Sequence, residues 1–428
     1  MASKPLCIIN AVGLTPELLA HAPSIASIGN ASPWQSPLPA VTCTSQATML
    51  TGLNPSEHGI VGNGWYYRDT SEIRFWQQAC SLINGKKFYE DFETAKMFWW
   101  FNQSAPVRYS ATPKPHYGCD GSKSFDIIDK TQCSLTERLG AFPFFTFWGP
   151  NAGLSCSQWI AKATAIVIEE KRPEITLAYL PHLDYDFQRH TSPDLKRVKE
   201  LDSCAQTIIH AADQIGANVV VVSEYGLTPV QRPVHLNVHL RREGLLSVRP
   251  GPYGEMLLPG DSRAFAVADH QLAHLYVRES SDISGVKRLV ESIPGVSAVL
   301  EPEELQLNHP RSGDLIVLAE NDAWFTYYYW LDSRSAPDFA NTVDIHRKPG
   351  YDPCELFATS RVRALARVAQ KKLGFRYRMD VVPLKPELVG GSHGLAPSCP
   401  EKGPLVIGPG ILPDDMRDFS SYCCGLLG

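Results

Sequence analysis

The run PAVTCTSQATMLTG, residues 39–52, sets four threonines and a serine between a proline and a glycine. Thr42 and Thr44 stand where a helix through SQATMLTG begins, and Gly52 is placed to stop it. A threonine hydroxyl at that position has two uses. It caps an orphan backbone N–H, or it is held where free amides and the helix dipole favour an anionic phosphoryl group. A free alcohol is a weak nucleophile, so the second use needs a metal ion or a base beside it. Taken alone, the stretch leaves both uses open.

Other stretches carry candidate groups. VADHQLAHLYV puts His270 and His274 four residues apart, a metal-pair spacing on a helix; AHLYV, however, has a strand pattern and no glutamate follows His270 as in HExxH, so structural or surface roles are expected. VDIHRKPGYDP gathers Asp344, His346, Arg347, Lys348 and Asp352 in a loop bounded by proline and glycine. Arg347 and Lys348 there suit a phosphate or carboxylate, with a solvated turn as the equal alternative. WFTYYYWLD, residues 324–332, reads as alternating rings on a strand that pack a core or lobe rather than a stacking platform for bases.

The elements that must position these groups look like a parallel α/β sheet. LCII ending at Asn10, ITLAYL running on through Pro181 towards Asp184, and NVVVVS ending before Glu224 are short apolar runs of the kind buried on both faces. Between the last two, Val198, Leu201, Ala205, Ile208, Ile209 and Ala212 recur at helical spacing, with Gly216 as the stop. That is a right-handed strand–helix–strand crossover. WIAKATAIVIEEK supplies a further helix before ITLAYL. Ligands in such sheets gather beyond the carboxyl ends of the strands, where Asn10, Asp184 and Glu224 fall.

A chain of 428 residues fits one large α/β domain with insertions. Residues 61–150 are aromatic and loop-rich, as in KMFWWFNQS and AFPFFTFWGP, and are expected to form an inserted cap; residues 240–320 suggest a small accessory lobe of strand, helix and strand. The net charge of −5 argues against a nucleic-acid polymer as partner and leaves small molecules as the better expectation. The N-terminal apolar run is too short for a signal segment and no stretch approaches the ~20 apolar residues that cross a bilayer, so no membrane partner and a cytoplasmic setting are expected. The 11 cysteines, odd in number and irregularly spaced, fit reduced thiols.

TCTSQATMLTGLNPSEHGIVGN resembles the nucleophile segment of the alkaline phosphatase superfamily, in its type I phosphodiesterase / nucleotide pyrophosphatase branch; the threonine ten residues before Gly52 is Thr42. SEYGLTPV, residues 223–230, resembles the branch's SDHGMTPV-type segment. GSHG, residues 391–394, resembles its late histidine motif, and YLPHLDYDFQRHTSP the segment in which an aspartate and a nearby histidine bind one metal. The resemblance implies an alkaline-phosphatase-like, mostly parallel central sheet flanked by helices. It also implies one or two divalent ions, zinc first and manganese second, with a pair about 4 Å apart clamping an in-line displacement.

Carried over residue by residue, the resemblance makes Thr42 the nucleophile and Asp184, His190 and His393 the ligands of one metal. His190 lies six residues after Asp184, whereas the family spacing is shorter and falls on Gln188. For the other metal the Asp-His pair becomes Glu224 and Tyr225, and the early aspartate becomes Asn10, or Val12 if no gap is allowed. Tyr225 is then expected to offer its hydroxyl to the phosphate, Asn63 to face the phosphate, and His58 to support the nucleophile loop. Some of the rings of residues 324–332, or Trp99 and Trp100, would line a leaving-group pocket. The implied activity is metal-dependent hydrolysis of a small phosphorylated substrate, a phosphodiester or pyrophosphate. The alternatives are a silent phospho-metabolite binding or scaffold protein on a decayed hydrolase fold, and a phosphonate hydrolase or phosphoryl-transfer enzyme. The oligomeric state stays open.

Overall fold

The computed structural model describes residues 4–118, 123–375 and 377–428. Among them, eight strands form the main sheet: β1 (Leu6–Ala11), β2 (Asn30–Pro33), β3 (Thr94–Met97), β4 (Tyr109–Tyr117), β5 (Lys123–Asp129), β6 (Ile175–Leu180), β7 (Asn218–Val222) and β8 (Leu405–Gly408). Their spatial order is β2-β8-β7-β1-β6-β3-β4-β5. The five strands from β7 to β4 run parallel, and antiparallel pairs close both edges. β1 and β6 are buried at every residue, which is why both read as unbroken apolar runs instead of alternating ones.

Helix α1 (Thr42–Thr51) starts after Val41, and Gly52 ends it in the left-handed region at φ 73°. A Cβ on Gly52 would stand 2.7 Å from Ser420 Oγ and 2.9 Å from the Arg417 carbonyl oxygen, so only glycine turns the chain there. Helices α2 (Leu154–Lys171) and α4 (Leu195–Gln214) pack against each other and the sheet, where the helical periodicity put them. Between β6 and α4 lies the short α3 (His182–Arg189). Further on, α5 (Arg361–Lys372) follows the loop that carries Arg347 and Lys348.

Residues 61–150 supply β3, β4 and β5 to the edge of the main sheet as well as an aromatic wall. β3, the four residues TAKM, is too short and mixed to stand out as a strand in sequence. A second, four-stranded antiparallel sheet joins Ala264–Asp269, Leu272–Val277, Leu315–Ala319 and Val296–Leu300, with the helix Ile283–Glu291 against it. His274 is in its second strand; its Nε2 donates to the Val61 carbonyl (2.8 Å), and its Nδ1 accepts from the Gly313 N–H (3.1 Å).

The aromatic run 324–332 departs from the expected strand. Only Ala323–Phe325 is extended as a strand; Tyr327, Tyr328, Tyr329 and Trp330 follow as irregular backbone buried in the second core. Their rings touch one another, Tyr328 and Trp330 with centroids 4.4 Å apart, so packing replaces sheet pairing as the reason for the aromatic density.

Candidate active site

Four backbone features converge at the carboxyl edge of the parallel strands. β1 delivers Asn10, the turn after β6 opens α3 with Asp184, and β7 ends just before Glu224 and Tyr225. The fourth is the start of α1, with Thr42 as its first residue. His393 joins them from beyond a two-residue strand, Gly391–Ser392, that pairs with Thr228–Pro229. The site is thus assembled from five separated pieces of chain.

Thr42 does not cap its helix: Val41 holds the cap position, and its side chain bonds none of the first-turn amides. Its Oγ1 instead shares a hydrogen bond of 2.9 Å with the Tyr225 hydroxyl. The capping role expected of Thr42 and Thr44 is therefore corrected; Thr44 Oγ1 and Ser45 Oγ are buried without a hydrogen-bond partner. The helix start is fixed from outside, by Asn63 Oδ1 accepting from the Cys43 N–H (3.0 Å). Asn63 is held in turn by Asp269, which accepts from its backbone N–H (2.6 Å) and its Nδ2 (3.0 Å). His58, bonded to Thr48 Oγ1 (2.9 Å) and to the Ile60 N–H (3.0 Å), braces the loop beyond α1.

Glu224 is fully buried and met by amides. Asn10 Nδ2 and Gln46 Nε2 both donate to its Oε1, each at 2.6 Å, while Oε2 has no hydrogen-bond partner. Burial raises its carboxyl to about 8, against the pull of those amides. Asp184 is treated alike: Gln188, one turn on, donates Nε2 to Oδ2 (2.9 Å), and burial lifts the carboxyl to about 7. Tyr351 in turn donates its hydroxyl to Gln188 Oε1 (2.7 Å).

His393 Nδ1 donates to the Ala40 carbonyl (2.8 Å), which leaves the Nε2 lone pair facing Asp184 Oδ1 at 3.6 Å. Burial pushes the imidazole down to about 3, so it stays neutral. Its ring lies in a stack, with Tyr225 at 3.6 Å and 8° on one contact and His270 at 3.6 Å on another; His270 also stacks on Tyr351 at 3.7 Å.

Thr42, Asp184, Tyr225, His270 and His393 line one end of a cleft of ≈ 1990 Å³. Rings from the 61–150 region, among them Trp76, Trp100, Phe147 and Trp148, form its wall, and Arg347 and His346 stand at its side. Trp100 lines the cleft as the sequence suggested. Trp99 is buried in the main core and does not line it.

Three expected site residues fall elsewhere. His190 lies past the end of α3 with its ring exposed, because six residues on a helix do not return to the Asp184 face; Gln188 at four residues does. Lys348 is 1 % exposed and is consumed by Asp352 Oδ2 and Glu355 Oε1, both at 2.7 Å, so its ammonium does not reach the cleft. Asn63 holds the start of α1 and Asp269, as described, and does not line the cleft. Arg347 remains half-exposed on the cleft side, paired loosely with Asp344 at 3.6 Å. Conversely, the sequence reading gave no site role to His270, Gln46, Gln188 or Tyr351. His270 sits in a left-handed turn (φ 63°) between two strands, and nothing local to VADHQLAH announces that it stacks on a residue 123 positions later.

A central, mostly parallel sheet with the candidate residues beyond its carboxyl edge and a threonine at a helix start is the architecture of the alkaline phosphatase superfamily. The chain belongs to the type I phosphodiesterase / nucleotide pyrophosphatase family, whose model matches residues 6–352. This is a family of phosphoric ester hydrolases, of a class that generally uses divalent metals. Among solved structures, a phosphonoacetate hydrolase from Sinorhizobium meliloti in complex with phosphonoacetate is similar over 100% of this chain and 96% of its own, with 15% identity and a TM-score of 0.61. The murine ectonucleotide pyrophosphatase / phosphodiesterase 5 is similar over 99% of this chain and 95% of its own, at 13% identity and a TM-score of 0.57; its human counterpart matches at 13% identity and 0.57, over 99% of this chain and 94% of its own. These likenesses show the fold. A comparison with curated proteins gave no match.

The residues present do not fit the metal pair that the family implies. Among the described residues, no three His, Cys, Asp or Glu side chains converge as a metal-holding group. Asp184 and His393 are two donors where zinc takes four ligands, or three and a water. Glu224 meets two amide N–H groups, and its neighbours Asn10 and Tyr225 add no anionic or imidazole donor. Asp184 Oδ1 and His393 Nε2 face each other at 3.6 Å, and burial raises the carboxyl to about 7. Of the expected ligand set, His190 lies exposed past the end of α3; Asp184 and His393 face each other, and Asn10 donates to Glu224, while Asp184 Oδ1 and Glu224 Oε2 are buried without a hydrogen-bond partner.

Proposed function

We propose that the chain hydrolyses a phosphate ester or related phosphorus compound of small size, with Thr42 as the nucleophile. The observation that supports this most directly is the Thr42 hydroxyl at the first turn of α1, not engaged as a helix cap, lining the cleft and bonded to the Tyr225 hydroxyl. The first-turn amides that Asn63 leaves open receive phosphoryl oxygens, and the Tyr225 hydroxyl donates to the charge that develops on them. Thr42 Oγ1 forms the bond to phosphorus as the leaving oxygen departs. Its proton passes to Glu224 in the ionised form, which burial makes the major form only above about pH 8. Water then cleaves the phospho-threonine. Arg347 at the cleft side is available to an anionic leaving group, and the aromatic wall to an apolar one. The neighbours' recorded ligands, phosphonoacetate and AMP, are small and phosphorus-bearing, in keeping with this class.

The ten described cysteines are free thiols, which supports a reducing, cytoplasmic setting. No described helix is long and apolar enough to cross a membrane.

A second reading, a protein that holds a phosphorylated ligand without turnover, is favoured by one observation: amide N–H groups on both buried carboxylates. One assay separates the two. Wild type, Thr42→Ser and Thr42→Ala are compared for hydrolysis of an aryl phosphodiester and of phosphonoacetate, with trapping of a phospho-threonine by mass spectrometry. Turnover that survives in the serine variant and vanishes in alanine supports the hydrolase. Binding of these compounds with no turnover by the wild type selects the second reading.

A further inference from the structure

Helix α5 (Arg361–Lys372) is attached by its charges and presents its apolar side outward. Arg367 donates Nε to Asp380 Oδ1 (2.8 Å) and Nη2 to Oδ2 (3.1 Å), and Arg363 donates Nε to the Asp380 carbonyl (3.0 Å). Asp380 itself is only 5 % exposed. On another face, Val362, Leu365, Ala369 and Leu373 fall on one stripe at helical spacing. Val362 is 76%, Leu365 69% and Leu373 72% exposed, and Phe375 in the following corner is 64% exposed. Soluble domains expose large apolar side chains singly; a row of them along one helix marks a contact surface.

The charge around the stripe has one sign. Residues 358–385 hold eight Lys and Arg against a single acid, Asp380, in a chain whose net charge is −5. Asp380 is already committed to the two arginines, which leaves Lys371 and Lys372 unopposed at the end of the helix. The same segment borders the cleft, through Ala364, Val368, Lys371 and Phe375.

We propose that α5 and the Leu373–Phe375 corner seat the cleft on an anionic phospholipid surface. The apolar stripe enters the boundary between headgroups and acyl chains, and the lysines lie at the level of the phosphates. A bilayer answers both features at once, whereas a second copy of the chain would set this basic segment against itself across a two-fold interface. The stripe is short, so attachment is reversible and needs both its apolar and its basic parts. The expectation that no membrane is a partner rested on spanning segments and does not bear on such a surface helix. The inference stands apart from the role of Thr42.

The test is flotation of the full chain with vesicles of phosphatidylcholine alone or with one third phosphatidylserine, at low and high salt. The wild type is expected on the anionic vesicles at least about tenfold more than on neutral ones, with the excess lost at high salt. Val362→Asp with Leu365→Asp, and separately Lys371→Glu with Lys372→Glu, are each expected to lower binding about tenfold. All four side chains lie on the surface, and an unchanged circular dichroism melt confirms that the variants fold. Absence of wild-type binding at low salt, equal binding to both vesicles, or retained binding by the aspartate pair would overturn the proposal. So would a concentration-dependent dimer in sedimentation that the aspartate pair dissociates, which assigns the stripe to a second copy.

Discussion

The Thr42 hydroxyl and the Tyr225 hydroxyl lie 2.9 Å apart, across 183 residues of chain. Tyr225 is buried and its ring is clamped against His393, so it fixes the threonine side chain from the cleft side. Tyr225→Phe is expected to keep the stack and the fold but to lower turnover by about 10²-fold, the usual worth of one donor at a developing oxyanion. Parallel measurement of kcat and KM checks this: a change in KM alone would mean that the hydroxyl only helps to bind.

Because amides meet one oxygen each of Glu224 and Asp184, and no third histidine, cysteine or acid among the described residues converges with them, the wild type is expected to purify without stoichiometric zinc or manganese. Its melting temperature should stay the same after chelation. Metal analysis and calorimetry with added zinc decide the point, and one tightly bound ion per chain would refute it. Replacing Gln188 by His, on the face of α3 that points at Asp184, is expected to create measurable zinc affinity together with Asp184 and His393.

Lys348, although set in the loop that looked like a phosphate clamp, is a structural cation. Burial opposes its charge, but Asp352 and Glu355 outweigh that and hold the ammonium well above the ordinary lysine range. Lys348→Met leaves two buried carboxylates unpaired and is expected to cost about 3–5 kcal/mol in denaturant unfolding. Arg347→Ala should cost under about 0.5 kcal/mol and act on KM instead. A Lys348→Met protein of full stability with raised KM would reverse the two assignments.

Asn63→Ala removes two of the hydrogen bonds that tie α1 to Asp269. Loss of a buried carboxylate's partner is worth about 1–3 kcal/mol. The expected result is lower stability together with lower kcat, since the start of α1 is no longer fixed. A change in KM with stability and kcat intact would restore direct phosphate contact to Asn63.

Acid sensitivity follows from His274. Burial pushes its imidazole down to about 4 against the pull of the Val61 carbonyl, and Nδ1, already accepting from the Gly313 N–H, has no room for a proton. The depressed value means that the unfolded chain takes up the proton first as pH falls. Its contribution to stability is therefore present above about pH 6.5 and is lost progressively down to about pH 4, on the order of 3 kcal/mol in all. Asp269, raised to about 7 by burial, works the other way over much of that range. The comparison of wild type with His274→Gln isolates the histidine: the wild type should lose more stability than the variant between pH 6.5 and 4, and parallel curves would disprove the assignment.

Much of the fold was legible locally. β1, β6, β7, α2 and α4 depend on apolar runs or on helical spacing within a few residues, and those patterns stand in the sequence whatever the rest of the chain does. The Thr42 motif, with Gly52 ten residues on, was legible for the same reason. By contrast, TAKM gave no sign of being a sheet strand, and the rings at 327–330 looked like a strand because aromatic density signals both pairing and packing.

The parallel sheet, the family and the place of Thr42, Asp184, Glu224, Tyr225 and His393 at the ends of their elements are written in the order of residues along the chain. What each of them touches came from the packing of the fold. Gln46 on Glu224, Gln188 on Asp184, His270 on His393 and Lys348 between two carboxylates are side-chain pairings set by how helices and strands pack. A hydrogen bond or a stack depends on separations of a few ångström, and residue spacing along a chain fixes those only within a single helix or strand.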